Sequence, residues 1–383
     1  MRLAYIFDQR LPSTETDTEQ ALNTLAALSR NGVDVTLLLP KDTFRQDANA
    51  DALREYYQVS GEFSVKRLRS TFPSPRVFEK LGHAVRASLG IDKTAYDVVY
   101  TRNAPSLVAG LMSGLPMVYE TYRPWPEQVK TLRPVFRWAM RQKTFLGGVF
   151  HSEFALNTYA ALGADRQALT VVHNGFDPTR FSVDPGTSKA RKAIGLDTTG
   201  VVAAYTGRVN LQKGLGAVLD LADLHPEVTF LIVGSEGEGE VEKRASTQDN
   251  VVVYPWATYD QLPNFLFAAD ILMVPPSQGP LKTVGNTVLP MKLFQYLAAG
   301  RAIYAPKAPD TAELLSHGEN AWLVRPDDVQ AASEALTELV RQDDLRARLG
   351  MNGRSMSGDL TWDARAQRIV EFVEKRLASQ SAP

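Results

Sequence analysis

Arg208 and Lys213 stand five residues apart in Thr206-Gly-Arg-Val-Asn-Leu-Gln-Lys-Gly214, after a strand-like run over 201–205 and at the start of an apolar, helix-periodic stretch. Basic side chains beside a helix N-terminus at the mouth of an α/β domain suit the departure of a diphosphate. A second segment, Leu289-Pro-Met-Lys-Leu-Phe-Gln-Tyr-Leu-Ala-Ala-Gly300, predicts a helix over 290–299, with Pro290 at its first position and Gly300 at its stop. It sets Lys292 near the helix start and Gln295 more than a turn inside. Asn286 and Thr287 precede it, with capping side chains and exposed backbone N–H groups. For any basic residue the alternative is a solvated place on a capping loop.

Other candidates surround these. Gly234-Ser-Glu-Gly-Glu-Gly-Glu240 follows a strand-like run, but its order is not that of a dinucleotide fingerprint. Its glutamates repel phosphate, so Gly234 and Glu236 point to a ribose or base contact, or else to a solvated loop. Trp256 stands either as a stacking surface for a base or as a core residue. In the first half, Arg102, Glu120 and Tyr122 close strand-like runs, as does His151. A tyrosine hydroxyl, with its pKa near ~10, donates a hydrogen bond but is a poor base at neutral pH. Tyr122 is therefore a candidate catalytic residue or a buried interface residue. Arg133, Arg137 and Arg141 recur at helical i+4 spacing within the basic segment 123–143, beside Trp125 and Trp138. Such a segment is either a solvated basic face or a peripheral contact with a membrane.

The elements that must position these residues alternate from end to end. Strand signals lie at 3–7, 33–39, 63–68, 97–100, 117–119, 148–150 and 169–172 in the first half. They recur at 201–205, 229–233, 251–254, 271–274, 302–305 and 321–324 in the second. Helix-periodic stretches separate them, beginning with 19–30, where Leu22, Leu25 and Leu28 share a face. This is the pattern of parallel sheets covered by helices. Ser13, Thr14, Thr16 and Asp17 are the candidate caps of that first helix. The stretch 174–195, with its Gly, Pro, Ser and charges, reads as an interdomain linker. It divides an N-terminal domain, 1–178, from a C-terminal domain, 190–358.

At 383 residues, two domains are the natural division. A formal net charge of −1 gives no field for nucleic acid, and the lack of cysteine excludes disulfides and thiolate metal sites. Residues 1–8 read as an acidic-ended strand, not a signal peptide. No apolar run approaches the ~18 residues of a membrane span, so a cytoplasmic protein is expected, with the inner membrane face as a place of peripheral contact.

Taken together, Gly207-Arg208 with Lys213-Gly214, and Pro290-Met-Lys-Leu-Phe-Gln-Tyr-Leu-Ala-Ala-Gly300, resemble the donor domain of the retaining family 4 glycosyltransferases, "glycosyl transferases group 1" in type. The resemblance implies a GT-B fold, two doubly wound Rossmann-like domains facing across a cleft, with the last helix, 361–383, crossing back to the first domain. It implies a nucleotide-diphosphate sugar as donor substrate, a glycan or lipid-linked hydroxyl acceptor, no cofactor and, with no Asp-x-Asp pair in the chain, no metal. Arg208 and Lys213 would stabilise the leaving diphosphate. Asn286, Thr287 and Lys292 would cradle phosphates and sugar, and Gln295 would meet the ribose. Gly234, Glu236 and Trp256 would line the nucleoside, and Arg102, Glu120 and Tyr122 the acceptor side.

The chain departs from the family pattern where carboxylates are usual. Gln295 and Thr287 occupy the two glutamate positions, Tyr122 that of a histidine, and Leu11-Pro-Ser-Thr that of a Gly-Gly turn. An amide in place of a carboxylate weakens a ribose contact by ~1 kcal/mol. These losses leave a second reading, a non-catalytic relative that binds a nucleotide or glycan or partners an active enzyme. An epimerase of the same fold would need an acid–base carboxylate pair.

Overall fold

The computed structural model describes residues 1–41, 47–69, 76–279, 289–309 and 311–381. The chain forms two compact units, Met1–Asn174 with Trp362–Pro383, and Gly175–Thr361.

The first unit runs β1 (Arg2–Ile6), α1 (Thr16–Arg30), β2 (Asp34–Lys41), α2 (Ala50–Tyr57), β3 (Ser64–Arg69), α3 (Arg76–Gly90), β4 (Val98–Thr101) and α4 (Ala104–Met112). It continues β5 (Met117–Thr121), α5 (Trp125–Gln128), α6 (Arg133–Ala139), β6 (Phe145–Phe150), α7 (Glu153–Ala160) and β7 (Leu169–Val171). All pairings in this sheet are parallel, in the order β3-β2-β1-β4-β5-β6-β7. The inner strands β4, β5 and β6 are buried along their whole length, as strands covered on both faces must be. Edge strand β3 is only part-buried and carries three basic residues, Lys66, Arg67 and Arg69.

The second unit runs α8 (Thr187–Ala193), β8 (Val202–Thr206), α9 (Leu215–Leu224), β9 (Thr229–Ser235), α10 (Glu240–Ala245), β10 (Val251–Pro255), α11 (Leu262–Ala268) and β11 (Ile271–Met273). After it come α12 (Lys292–Ala299), β12 (Ala302–Pro306), β13 (Trp322–Val324), α13 (Val329–Arg341) and α14 (Asp343–Met356). Its parallel sheet is ordered β10-β9-β8-β11-β12-β13. In each sheet the order reverses beside the first strand, at β1/β4 and at β8/β11. Open sheets of this kind bind ligands at that reversal, beyond the carboxyl ends of the strands. The last helix, α15 (Trp362–Ser381), packs in the first unit against α1 and β6.

All thirteen strand signals form strands, with edges displaced by at most three residues. Four local expectations are corrected. The 174–195 stretch is not a linker but part of the second unit: the Phe176 N–H donates to the Leu360 carbonyl, Phe181 is buried, and Arg191 of α8 is buried. Composition alone misreads Arg191, whose guanidinium donates to the Ala268 and Thr198 carbonyls and to Asp270. None of Ser13, Thr14, Thr16 or Asp17 holds the cap position of α1; Glu15 does, without a side-chain capping bond. The distant Tyr57 hydroxyl orders this turn, accepting from the Ser13 N–H at 2.8 Å and donating to its carbonyl at 2.9 Å. The helix expected over 290–299 begins at Lys292, with Pro290 in the turn before it, although Gly300 does stop it in the left-handed region at φ 66°. The basic helix α6 ends at Ala139, so Arg141 lies in the following turn and not on the helix face.

Candidate active site

The cations of the second unit gather at the β8/β11 reversal. β8 is buried throughout and ends at Thr206, whose N–H donates to the buried Tyr296 hydroxyl of α12 at 2.9 Å. Gly207 follows at φ 125° and donates its N–H to the Val233 carbonyl at 2.9 Å. Gly234 sits opposite at φ 119°, and a Cβ there would come within 2.4 Å of the Gly207 carbonyl oxygen. Only glycine at both places lets the loops after β8 and β9 close on each other. Arg208 comes next and is half-buried; its carbonyl accepts from the Tyr205 hydroxyl at 2.9 Å. The Asn210 side chain then accepts from the Lys213 N–H at 3.0 Å, capping the short turn that carries Lys213.

Lys292, at the first turn of α12, reaches into the same place. Its Nζ lies 3.5 Å from the centroid of the Tyr205 ring, and a Cβ on Gly207 would stand 3.1 Å from that nitrogen. Burial first, and then the Lys213 charge, hold its pKa well below the usual lysine range. Among the described residues no carboxylate pairs with Lys292. A buried ammonium depressed by a second cation, at a strand-end turn, makes a place that an anion stabilises. Gln295, one turn on from Lys292, is half-buried, and Asn286 and Thr287 lie outside the described residues.

The loop after β9 is tied back by Glu242, which accepts from the Ser235 hydroxyl at 2.6 Å and the Gly239 N–H at 3.0 Å. Glu236 is exposed on it. Trp256 is not a core residue: it is 39% exposed, and its backbone N–H donates to the Ser235 carbonyl where this loop begins.

In the first unit, Glu120 is placed differently from a substrate contact. At the end of β5 it is fully buried, and its carboxylate is saturated by neighbours. Oε1 accepts from Gln20 at 2.8 Å, His151 at 2.6 Å and Arg365 at 2.8 Å, while Oε2 accepts from Tyr100 at 2.7 Å. Desolvation opposes its charge, but Arg365, His151 and Arg102 together hold its pKa well below the carboxylate range. Since a carboxylate only accepts, His151 carries its proton on Nε2. Burial, aided by Arg365 and Arg102, pushes the His151 pKa down to about 3. Arg365 of α15 is the member of this cluster that sequence reasoning misses, because a lone arginine in an amphipathic helix carries no signal of burial. It is buried, and donates also to the Val172 and His173 carbonyls at 2.6 and 2.9 Å.

Arg102 donates to the Asp17 carbonyl at 2.7 Å and lies 3.8 Å from Glu120. Its guanidinium and that of Arg123 each sit 5.3 Å from the Tyr122 ring centroid. The half-buried Tyr122 is thus held between two cations, with its hydroxyl accepting from Arg123 Nε at 3.1 Å. Arg133, Arg137 and Arg141 are exposed, whereas Phe136 and Ala139 turn inward.

Residues 187–356 match the family model "Glycosyl transferases group 1", and residues 19–180 match "Glycosyltransferase Family 4". A D-inositol 3-phosphate glycosyltransferase of Corynebacterium jeikeium is 26% identical over 225 residues, covering 54% of this chain and 52% of that protein. An alpha-maltose-1-phosphate synthase of Mycolicibacterium smegmatis is 25% identical over 300 residues, covering 70% and 75%. The chain spans about half the length of the inositol-phosphate relatives it matches, 52% and 49% in two of them. Among solved structures, Anabaena Alr3699/HepE in complex with UDP-glucose superposes with a TM-score of 0.72 at 19% identity, covering 98% of this chain and 100% of that one. Sucrose-phosphate synthase from Thermosynechococcus elongatus does so at 0.77 and 16%, covering 99% of each. At these identities the likeness speaks for the fold.

Proposed function

For a chain that belongs to the family 4 glycosyltransferases of the group 1 type and has the GT-B fold, we propose transfer of a sugar from a nucleoside-diphosphate donor to a hydroxyl of a glycan or lipid-linked acceptor, with retention at the anomeric carbon and without a metal. The observation that carries this reading is the convergence of Lys292 and the Arg208–Lys213 turn on the paired glycines Gly207 and Gly234 at the β8/β11 reversal.

In the proposed step the bond between the anomeric carbon and the β-phosphate oxygen breaks, and its electron pair leaves with the diphosphate. Lys292, Lys213 and Arg208 take up the developing charge, the part a metal would otherwise play. The acceptor hydroxyl forms the new glycosidic bond on the face the phosphate leaves and passes its proton to that phosphate. Asn286 and Thr287 are assigned to phosphate and sugar, and Gln295 to the ribose. Gly234, Glu236 and Trp256 are assigned to the nucleoside. Relatives named as glycosyltransferases, and a neighbouring structure solved with UDP-glucose, support a nucleotide sugar as donor. On the acceptor side, Arg102 and Tyr122 are the candidate contacts. Glu120 acts behind them as a positioning residue, because its oxygens are already occupied.

Gln295, Thr287 and Tyr122, standing where the family carries carboxylates and a histidine, favour one second reading, a non-catalytic relative that binds the same ligand. A thermal-shift screen against UDP, GDP, ADP and TDP, each with and without Mg²⁺, tests the donor site. A ligand at a hundredfold excess over Kd stabilises by about 2.7 kcal/mol. The expected result is a metal-independent shift with one diphosphate, lost in Arg208→Ala and Lys213→Ala, and sugar turnover lost with it. A shift without turnover selects the non-catalytic reading, and flat traces overturn both.

A further inference from the structure

Helix α3 is built inside out. Three of its polar residues face the protein: Glu79 is 3% exposed and bound to Arg10 at 2.8 Å, His83 is 1% exposed, and the buried Ser88 bonds the Ala84 carbonyl. Its large apolar residues face outward, with Val77, Phe78, Leu81, Val85 and Leu89 all exposed, Phe78 by 55% and Leu89 by 73%. Positions 78, 81, 85 and 89 recur at i+3 and i+4, so they form one stripe along a helix of fifteen residues. A groove of about 620 Å³ runs along it. A solvated surface helix places these two classes of residue the other way round.

The neighbours of α3 identify what covers the stripe. Ala87 of α3, Leu107 of α4, and Phe136 and Ala139 of α6 enter one hydrophobic cluster, so the three helices form one layer on one side of the first sheet. α4 carries no charged residue, and its Met112 is 76% exposed. Arg86 on α3 and Arg133 and Arg137 on α6 are exposed, Arg86 and Arg133 also donating to the Arg69 and Pro126 carbonyls, and Arg141 just after α6 and Trp138 are exposed with them. The sole carboxylate in all three helices is the buried, paired Glu79. Lys66 lies on the same face of edge strand β3 as Leu68, which packs on that cluster, and is exposed.

We propose that the outer surface of α3, α4 and α6 is a contact with an anionic lipid bilayer, with the Phe78–Leu81–Val85–Leu89 stripe seated among the acyl chains and the arginines at the headgroups. Apolar residues on one face of an interfacial helix, flanked by cations and free of exposed carboxylates, match the two attractions such a surface offers. A second copy of the chain fits less well, because a two-fold contact pairs this face with itself, and its three helices offer cations but no exposed carboxylate to meet them. The basic segment 123–143 thus supplies the charge, and α3 supplies the insertion that α6 lacks. This contact is independent of the chemistry assigned to the second unit.

Co-sedimentation of the full chain with phosphatidylcholine vesicles, with and without phosphatidylglycerol, tests it. Binding is expected only with phosphatidylglycerol, weakened by salt, and reduced roughly tenfold or more in the triple variant L81N/V85N/L89N. These residues are exposed, so the variant keeps its fold and any diphosphate thermal shift of the parent chain. Arg137→Glu, which leaves the stripe intact, lowers the affinity for the anionic vesicles alone. Two results overturn the proposal. One is equal sedimentation of parent and triple variant. The other is a parent dimer in analytical ultracentrifugation that the triple variant dissolves while neither protein binds vesicles.

Discussion

His151→Gln tests whether the Glu120 hub is held by a neutral histidine. In the folded protein burial keeps His151 unprotonated down to about pH 3, whereas in the unfolded chain it titrates near 6.5. Between those values the unfolded state binds a proton that the folded state refuses. Stability from this group is therefore full above about pH 6.5 and falls as the pH drops toward 3. Near pH 7 about a quarter of unfolded molecules carry the proton, and at pH 5 nearly all do, which gives a loss of about 2 kcal/mol between the two. Glutamine can still donate to Glu120 in place of Nε2 but cannot take up a proton. Glu120, held below the carboxylate range, releases its contribution only under more acid conditions. His83, also lowered by burial, is common to both proteins and cancels. Urea unfolding followed by circular dichroism at pH 7 and pH 5 should show the parent losing about 2 kcal/mol more than His151→Gln. Equal losses would mean that His151 takes up its proton as readily in the folded state as in the unfolded one, and the hub as described would be wrong.

Two further outcomes follow from the second unit. Gly234→Ala combines φ 119° with a Cβ 2.4 Å from the Gly207 carbonyl oxygen. It should cost about 1–3 kcal/mol and abolish the diphosphate thermal shift; an unchanged shift would detach these glycines from the site. Lys292→Met removes a desolvated ammonium beside Lys213, so the free protein should gain about 1 kcal/mol in a melt. Diphosphate affinity should fall roughly tenfold or more by calorimetry, and a loss of both stability and affinity would show that Lys292 is already paired.

Alternation of short β-rich runs with helical periods marks all thirteen strands of the described residues, because strand burial on two faces writes itself into adjacent residues. Arg208, Lys213 and Lys292 were legible for a similar reason: each sits within a turn of a strand end or a helix start. Glu120 was misread as a substrate contact because its partners Gln20, His151 and Arg365 are scattered along the chain, Arg365 at a distance of 245 residues. No window contains that network, and a lone arginine in an amphipathic helix looks solvated. The 174–195 stretch looked like a linker until Ala268, Thr198 and Asp270 supplied partners for Arg191.

The sequence by itself determined the two parallel α/β units, the family and the cations at the strand ends, since periodicity, composition and local turn chemistry are properties of neighbouring residues. Tertiary structure alone decided which carboxylate is sealed inside, which glycines touch, and that the apolar face of α3 points outward. A helical period gives the direction of two faces relative to each other, and only packing against a third element decides which of them meets the core.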